Sequence, residues 1–173
     1  MPVAVPTGRY EIEATVDLSP LFGTIEHHGT VDVVVPSEKV LADRLAQLES
    51  EDVNQRRAAL LDLRYFREDA EKVVPAIIKC FDDEEETIRM YALSAMSAYP
   101  AQAPTYVDRY FEILAGEDGV SVRGYAAYLL GRFAPVSDRA EQALLAALEG
   151  AEANLKSRVE SALTTYRRRA GTE

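Results

Sequence analysis

The sequence contains few of the residues on which disulfides and metal sites depend. It has one cysteine, Cys80, and two histidines, His27 and His28, among 173 residues. One cysteine excludes an intramolecular disulfide, and we expect a buried structural thiol in a reducing compartment. The two histidines are adjacent in a predicted strand, so their side chains point to opposite faces and cannot easily chelate one ion. The sequence therefore predicts neither a metal nor a cofactor.

The features of membrane insertion, secretion and catalysis are also missing. No apolar run approaches the ~18 residues that a membrane helix needs, and the N-terminus lacks the charged and apolar regions of a signal peptide. There is no glycine-rich phosphate loop, no nucleophile elbow and no histidine that pairs with a serine or cysteine. We therefore expect a cytoplasmic protein that does not bind a membrane and is not an enzyme.

Basic residues are outnumbered by acidic ones, 19 to 29, which gives a formal net charge of −10. Such a charge repels the phosphate backbone of nucleic acids, and no segment gathers basic residues at high density. Nucleic acid is therefore not the predicted partner. The charge either steers a basic protein toward this chain or only keeps the chain in solution, and both interpretations stay open.

The sequence divides into two parts near Pro36. Residues 10–35 alternate apolar and polar side chains with a period of two around a breaker segment at 19–23, which predicts a β-hairpin. From Ser37, a suitable N-cap residue, the period is that of helices. The predicted domains are an N-terminal hairpin cap at 1–36 and a helical repeat domain at 37–173. The hairpin can cover the end of the helical domain, pair across a dimer or accept a strand from a partner.

The helical part repeats itself about every 33 residues. Basic residues spaced by 33, 34 and 33 positions mark four equivalent helices: Arg56, Arg89, Arg123 and Lys156. Each is followed by alanine or valine three places on, and by leucine or methionine seven places on. The preceding helices keep the same period, and a polar turn rich in acidic residues separates the two helices of each pair. The sequence therefore predicts four helix pairs.

These residues resemble the HEAT family, in particular the bacterial HEAT-like repeats also found in phycobilin lyases. The segment 118–131, Asp-Gly-Val-Ser-Val-Arg-Gly-Tyr-Ala-Ala-Tyr-Leu-Leu-Gly, follows the family pattern best, and weaker copies lie at 84–97 and 51–64. The resemblance covers about residues 37–168. It implies a mainly α fold, an α-α superhelix or solenoid of about four helix pairs, and a structural role for the repeated Arg/Lys. The ankyrin and tetratricopeptide signatures, which have similar periods, are not matched.

One side of the second helix in each pair is a candidate surface for a partner. Positions 1, 5 and 8 after the repeated Arg/Lys lie opposite the apolar side, and the resemblance implies that they line a concave groove. Seven of the nine residues there in the last three pairs are Gly, Ser or Thr. These small residues either admit a partner closely or only let the stack curve, with Tyr128 packed between repeats. The candidate partner-binding residues are Arg57, Leu61, Arg64, Met90, Ser94, Tyr128 and Arg132.

The sequence thus predicts a non-catalytic protein-interaction module, an adaptor or inhibitor that binds another protein, with an immunity protein as one form. The resemblance to the lyases leaves a second function open, a maturation factor that binds a tetrapyrrole or its carrier protein. A third similarity is to the HEAT-like alkylpurine DNA glycosylases, which need a basic groove. The oligomeric state does not follow from the sequence.

Overall fold

The structure, a computed structural model, describes the backbone of residues 8–17, 24–33, 38–135 and 138–172, and the side chains of the last two ranges. The chain divides into two compact units, residues 1–40 and 41–173. In the first unit, β1 (Gly8–Asp17) pairs antiparallel with β2 (Thr24–Val33) in a continuous register. The breaker segment 19–23 and the predicted N-cap Ser37 lie outside the described residues.

The described part of the chain is mainly helical, as the sequence predicted. Its eight α-helices are α1 (Glu38–Gln47), α2 (Val53–Leu63), α3 (Ala70–Lys79), α4 (Glu86–Met96), α5 (Val107–Ala115), α6 (Val120–Phe133), α7 (Asp138–Ala146) and α8 (Ala153–Ala170). No helix in this part combines the length and the apolar character of a membrane span.

Local sequence signals explain where several of these helices begin and end. The Asp52 carboxylate accepts a hydrogen bond from the Asn54 backbone N–H at 2.8 Å, which caps the first turn of α2. The C-cap of α8 is Gly171, whose φ of 71° lies in the left-handed region that favours glycine. Arginines in the last turn of α8 complement the negative end of its dipole.

Helices of neighbouring pairs pack through their second members. Helix α2 packs on α4, α4 on α6 and α6 on α8, while α3, α5 and α7 each pack on the helix that follows them. The core between them uses positions −1, 3, 6 and 7 counted from the repeated arginine, which repeat on one side of a helix. In α4 and α6 all eight of these side chains are fully buried: Ile88, Ala92, Ala95, Met96, Val122, Ala126, Leu129 and Leu130.

Two glycines of α6 allow the close approach of α8. A Cβ atom on Gly131 would collide with the backbone of Ala162, and one on Gly124 would meet the side chain of Arg158. Both glycines are buried. The sequence suggested that small residues on this side either admit a partner or let the stack curve. Gly124 and Gly131 are instead buried against α8 and do not line an open surface.

Candidate functional site

The first two repeated arginines join one helix pair to the next. Arg56 is 6% exposed, and its Nη1 donates to the Ser50 carbonyl oxygen at 2.8 Å, in the turn of its own pair. Its Nε and Nη2 lie 2.9 and 3.0 Å from the two carboxylate oxygens of Asp83, in the turn of the following pair. The hydrogen bond from Nη2 to the charged carboxylate is stronger than a neutral hydrogen bond, and the Nε contact is an ion-pair contact only.

Arg89 repeats this arrangement one pair further along the chain. Its Nη1 donates to the Asp83 carbonyl oxygen at 2.7 Å, and its Nε donates to the Asp118 carboxylate at 2.8 Å. Each of these arginines thus connects the turn of its own pair to an acid in the next pair. Such contacts hold neighbouring repeats at a fixed spacing.

The last two repeated basic residues behave differently. Arg123 donates through Nε to the Leu114 carbonyl oxygen at 3.0 Å, and no carboxylate among the described residues forms an ion pair with it. Lys156 is exposed. Among the residues that the structure describes, the four equivalent positions therefore give two ion pairs between neighbouring helix pairs.

The predicted partner-binding residues lie on successive second helices. Arg57 and Arg132 are exposed, whereas Arg64, Met90 and Ser94 are half-buried. The side chains of Leu61 and Tyr128 are 39% and 41% exposed. Because α2 packs on α4 and α4 on α6, the structure places these residues on three neighbouring helices, with Arg64 at the C-cap of α2.

The sequence interpretation missed four further residues on the same side of these helices. They lie two or nine positions after the repeated Arg/Lys, and the same helical wheel would have found them: Tyr65, Tyr91, Tyr125 and Arg158. Tyr65 is 68% exposed, just beyond the end of α2. We call the accessible residues at positions 1, 2, 5, 8 and 9 the second-helix face. Its members are Arg57, Ala58, Leu61, Arg64, Tyr65, Met90, Tyr91, Ser94, Ser97, Tyr125, Tyr128, Arg132, Ser157, Arg158, Ser161, Thr164 and Thr165.

The charge of the second-helix face is opposite to that of the whole chain. The face contains four arginines and no aspartate or glutamate, although the chain has 29 acidic residues. Many of those acids lie instead in the turns within each helix pair, at 49–52, 82–85, 117–118 and 149–152. Acids are favoured there because they complement the positive ends of the second helices. The fold thus separates a cationic, tyrosine-rich face from an acidic row of turns.

The lone cysteine has the properties of a structural residue. Cys80 is buried, and its thiol donates to the Ala76 carbonyl oxygen at 3.5 Å. Burial, with a further contribution from the Asp83 carboxylate, raises the pKa of the thiol from 9.0 to about 11. The reactive thiolate is therefore scarce at neutral pH. Within the described residues, no group of three or more His, Cys, Asp or Glu side chains could hold a metal ion.

No protein-family model matches this chain, and no curated protein does.

Proposed function

We propose that residues 41–172 form a short HEAT-like solenoid that binds another protein through the second-helix face and acts as an adaptor or inhibitor without catalysis. The observation that carries this proposal is the distribution of exposed apolar side chains. Leu61, Tyr65, Tyr128 and Leu145 are the large hydrophobic residues that the described chain exposes. The first three belong to the second-helix face.

The composition of this face suits a protein contact. Tyrosine, methionine and arginine are enriched at interfaces, where tyrosine adds a large area at a low cost in conformational entropy. Half-buried Met90 and Tyr91 lie on α4, between the helices that carry Leu61 and Tyr128. A partner that covers all three helices would bury these side chains at the centre of its contact and leave the arginines nearer the rim.

Local charge also favours a particular chemistry for the partner. The net charge of −10 suggested a basic protein. Charges further apart than about 10 Å are largely screened at cellular ionic strength, so the groups on the contact surface decide which partner fits. Those groups include Arg57, Arg132 and Arg158, with no acid among them. The expected partner therefore presents an acidic segment with apolar or aromatic side chains.

The test is affinity capture from a lysate of the native host, with the wild-type chain, Tyr128→Ala and Leu145→Ala as parallel baits. Leu145 is a matched control because its side chain is also 41% exposed but lies on α7, away from the face. We expect one stoichiometric protein partner with the wild type and with Leu145→Ala, and loss of that partner with Tyr128→Ala. Thermal unfolding would establish that all three baits are folded.

Purified partner and bait then test the role of charge. We expect affinity to fall as salt rises, and Arg57→Glu to weaken binding more than Arg57→Gln. Equal capture by Tyr128→Ala and Leu145→Ala, with both folded, would overturn the assignment of the face. Capture of nucleic acid in place of a protein would also overturn it.

A further inference from the structure

A missing acid distinguishes the junction between the third and fourth helix pairs from the two before it. At the earlier junctions Arg56 binds Asp83 and Arg89 binds Asp118. Asp83 stands three residues before the start of α4, and Asp118 stands two before the start of α6. The equivalent places before α8 hold Gly150 and Ala151. Neither residue can supply a carboxylate to Arg123.

Glu152 does not replace the missing acid. It stands 29 positions after Arg123, the same separation as between Arg89 and Asp118. However, Glu152 occupies the N-cap position of α8 and is exposed, and it forms no ion pair with Arg123. Arg123 accordingly keeps its positive charge uncompensated by any described carboxylate.

A cavity of about 260 Å³ lies beside Arg123. The other side chains that line it are apolar and come from α5, from α7 and from the residue that follows α7: Phe111, Leu114, Ala115, Ala143, Ala146 and Ala147. The Leu114 carbonyl oxygen accepts a hydrogen bond from the Arg123 Nε–H, and no described acceptor bonds to the two Nη groups. Such a fork of N–H donors matches the geometry of a carboxylate, which it can bind through two parallel hydrogen bonds.

We propose that this cavity is a second binding site, separate from the second-helix face, for a carboxylate carried on a short apolar chain. The carboxylate gives Arg123 an ion-pair partner, as Asp83 and Asp118 do for Arg56 and Arg89, and the apolar chain packs against Phe111 and the alanines of α7. The volume lies just below the range of about 300–1,000 Å³ that is usual for drug-sized ligands, which sets a small size. Either a free carboxylic acid or the C-terminal residue of a bound polypeptide has this chemistry.

The test is an NMR titration of the isotope-labelled chain with sodium hexanoate, and with hexanol as the neutral control. We expect hexanoate to shift the amide signals of residues 111–115, 123 and 143–147, and hexanol to bind more weakly because it carries no charge for Arg123. A peptide that ends in leucine, compared as free acid and as C-terminal amide, distinguishes the two sources. Tighter binding of the free-acid peptide than of hexanoate indicates a chain end, and the reverse indicates a free acid.

Three variants locate the site. Arg123→Gln removes the cation, and Ala151→Asp restores an acid at the position equivalent to Asp118. We expect each to weaken hexanoate binding by about tenfold or more, since a hydrogen-bonded charge is lost or already satisfied. Arg158→Gln, which removes a cation from the second-helix face, should leave hexanoate binding unchanged. Absence of shifts around the cavity, or equal binding by Arg123→Gln and the wild type, would overturn the proposal.

Discussion

Gly131 of α6 lies directly against the backbone of Ala162 in α8, with no room for a Cβ atom between them. The contact is between two backbones, so neither side can move away as a flexible side chain would. It fixes how closely the third and fourth helix pairs approach.

We therefore expect Gly131→Ala to lower the free energy of unfolding by about 2 kcal/mol, because the added methyl group forces the two helices apart. Gly124→Ala is the matched control on the same helix. There the new methyl group meets only the flexible side chain of Arg158, and the gain in helix propensity, about 1 kcal/mol, offsets its displacement. Urea unfolding of both variants measures the difference. Equal effects at the two positions would contradict the backbone contact.

Two buried tyrosines should affect stability in opposite directions when their hydroxyl groups are removed. The Tyr99 hydroxyl donates to the Leu63 carbonyl oxygen, whereas the Tyr110 hydroxyl has no hydrogen-bond partner among the described residues. Tyr99→Phe should lower the free energy of unfolding by about 1 kcal/mol because a buried hydrogen bond is lost. Tyr110→Phe should raise the free energy of unfolding by about 1 kcal/mol because it removes a buried hydroxyl that has no hydrogen-bond partner. Thermal unfolding should move the two midpoints in opposite directions.

The ion pair between Arg56 and Asp83 tests whether the repeated arginines hold the helix pairs together. Arg56→Met leaves the Asp83 carboxylate, which is largely buried, without its cationic partner, and we expect a loss of about 3 kcal/mol in the free energy of unfolding. Lys156→Met changes the equivalent but exposed position of the last pair and should change stability by less than about 0.5 kcal/mol. Similar losses for the two variants in denaturant titrations would argue against the inter-repeat role.

The buried thiol of Cys80 should make the folded chain less stable at alkaline pH. Because burial raises the pKa of Cys80 from 9.0 to about 11, the folded chain retains a proton that the unfolded chain releases. The contribution of this group to stability is complete below about pH 9 and is lost as the pH rises toward about 11. Burial likewise raises the pKa of Tyr99 from 10.0 to about 12, which extends the loss to higher pH.

The free energy of unfolding, measured from pH 8 to 11, should thus fall for the wild type and change less for Cys80→Ala. Iodoacetamide provides an independent reading. At pH 8 we expect slow alkylation of the native chain and fast alkylation in denaturant. Rapid modification of the native chain would show that the thiol is accessible.

Much of the helical structure follows from local sequence, because periodic apolar positions need no knowledge of the partner helix. The residues three and seven places after Arg89 and Arg123 are fully buried, as the helical wheel predicted. The polar turns at 49–52 and 116–119 lie between helices, where acidic and glycine residues are favoured. For the site, the same wheel identified Leu61 and Tyr128 as accessible side chains.

The sequence by itself determined the helix period and the apolar side of each helix, since both depend on residues that are at most one or two helical turns apart. Only the tertiary structure decided what each equivalent position contacts, because those contacts come from a different repeat. Arg56 and Arg123 occupy equivalent positions in the repeat, yet Arg56 pairs with the carboxylate of Asp83 whereas Arg123 borders a cavity whose other lining side chains are apolar. Gly131 looked like part of an open groove and is instead buried against Ala162, because the distance between α6 and α8 is set by packing.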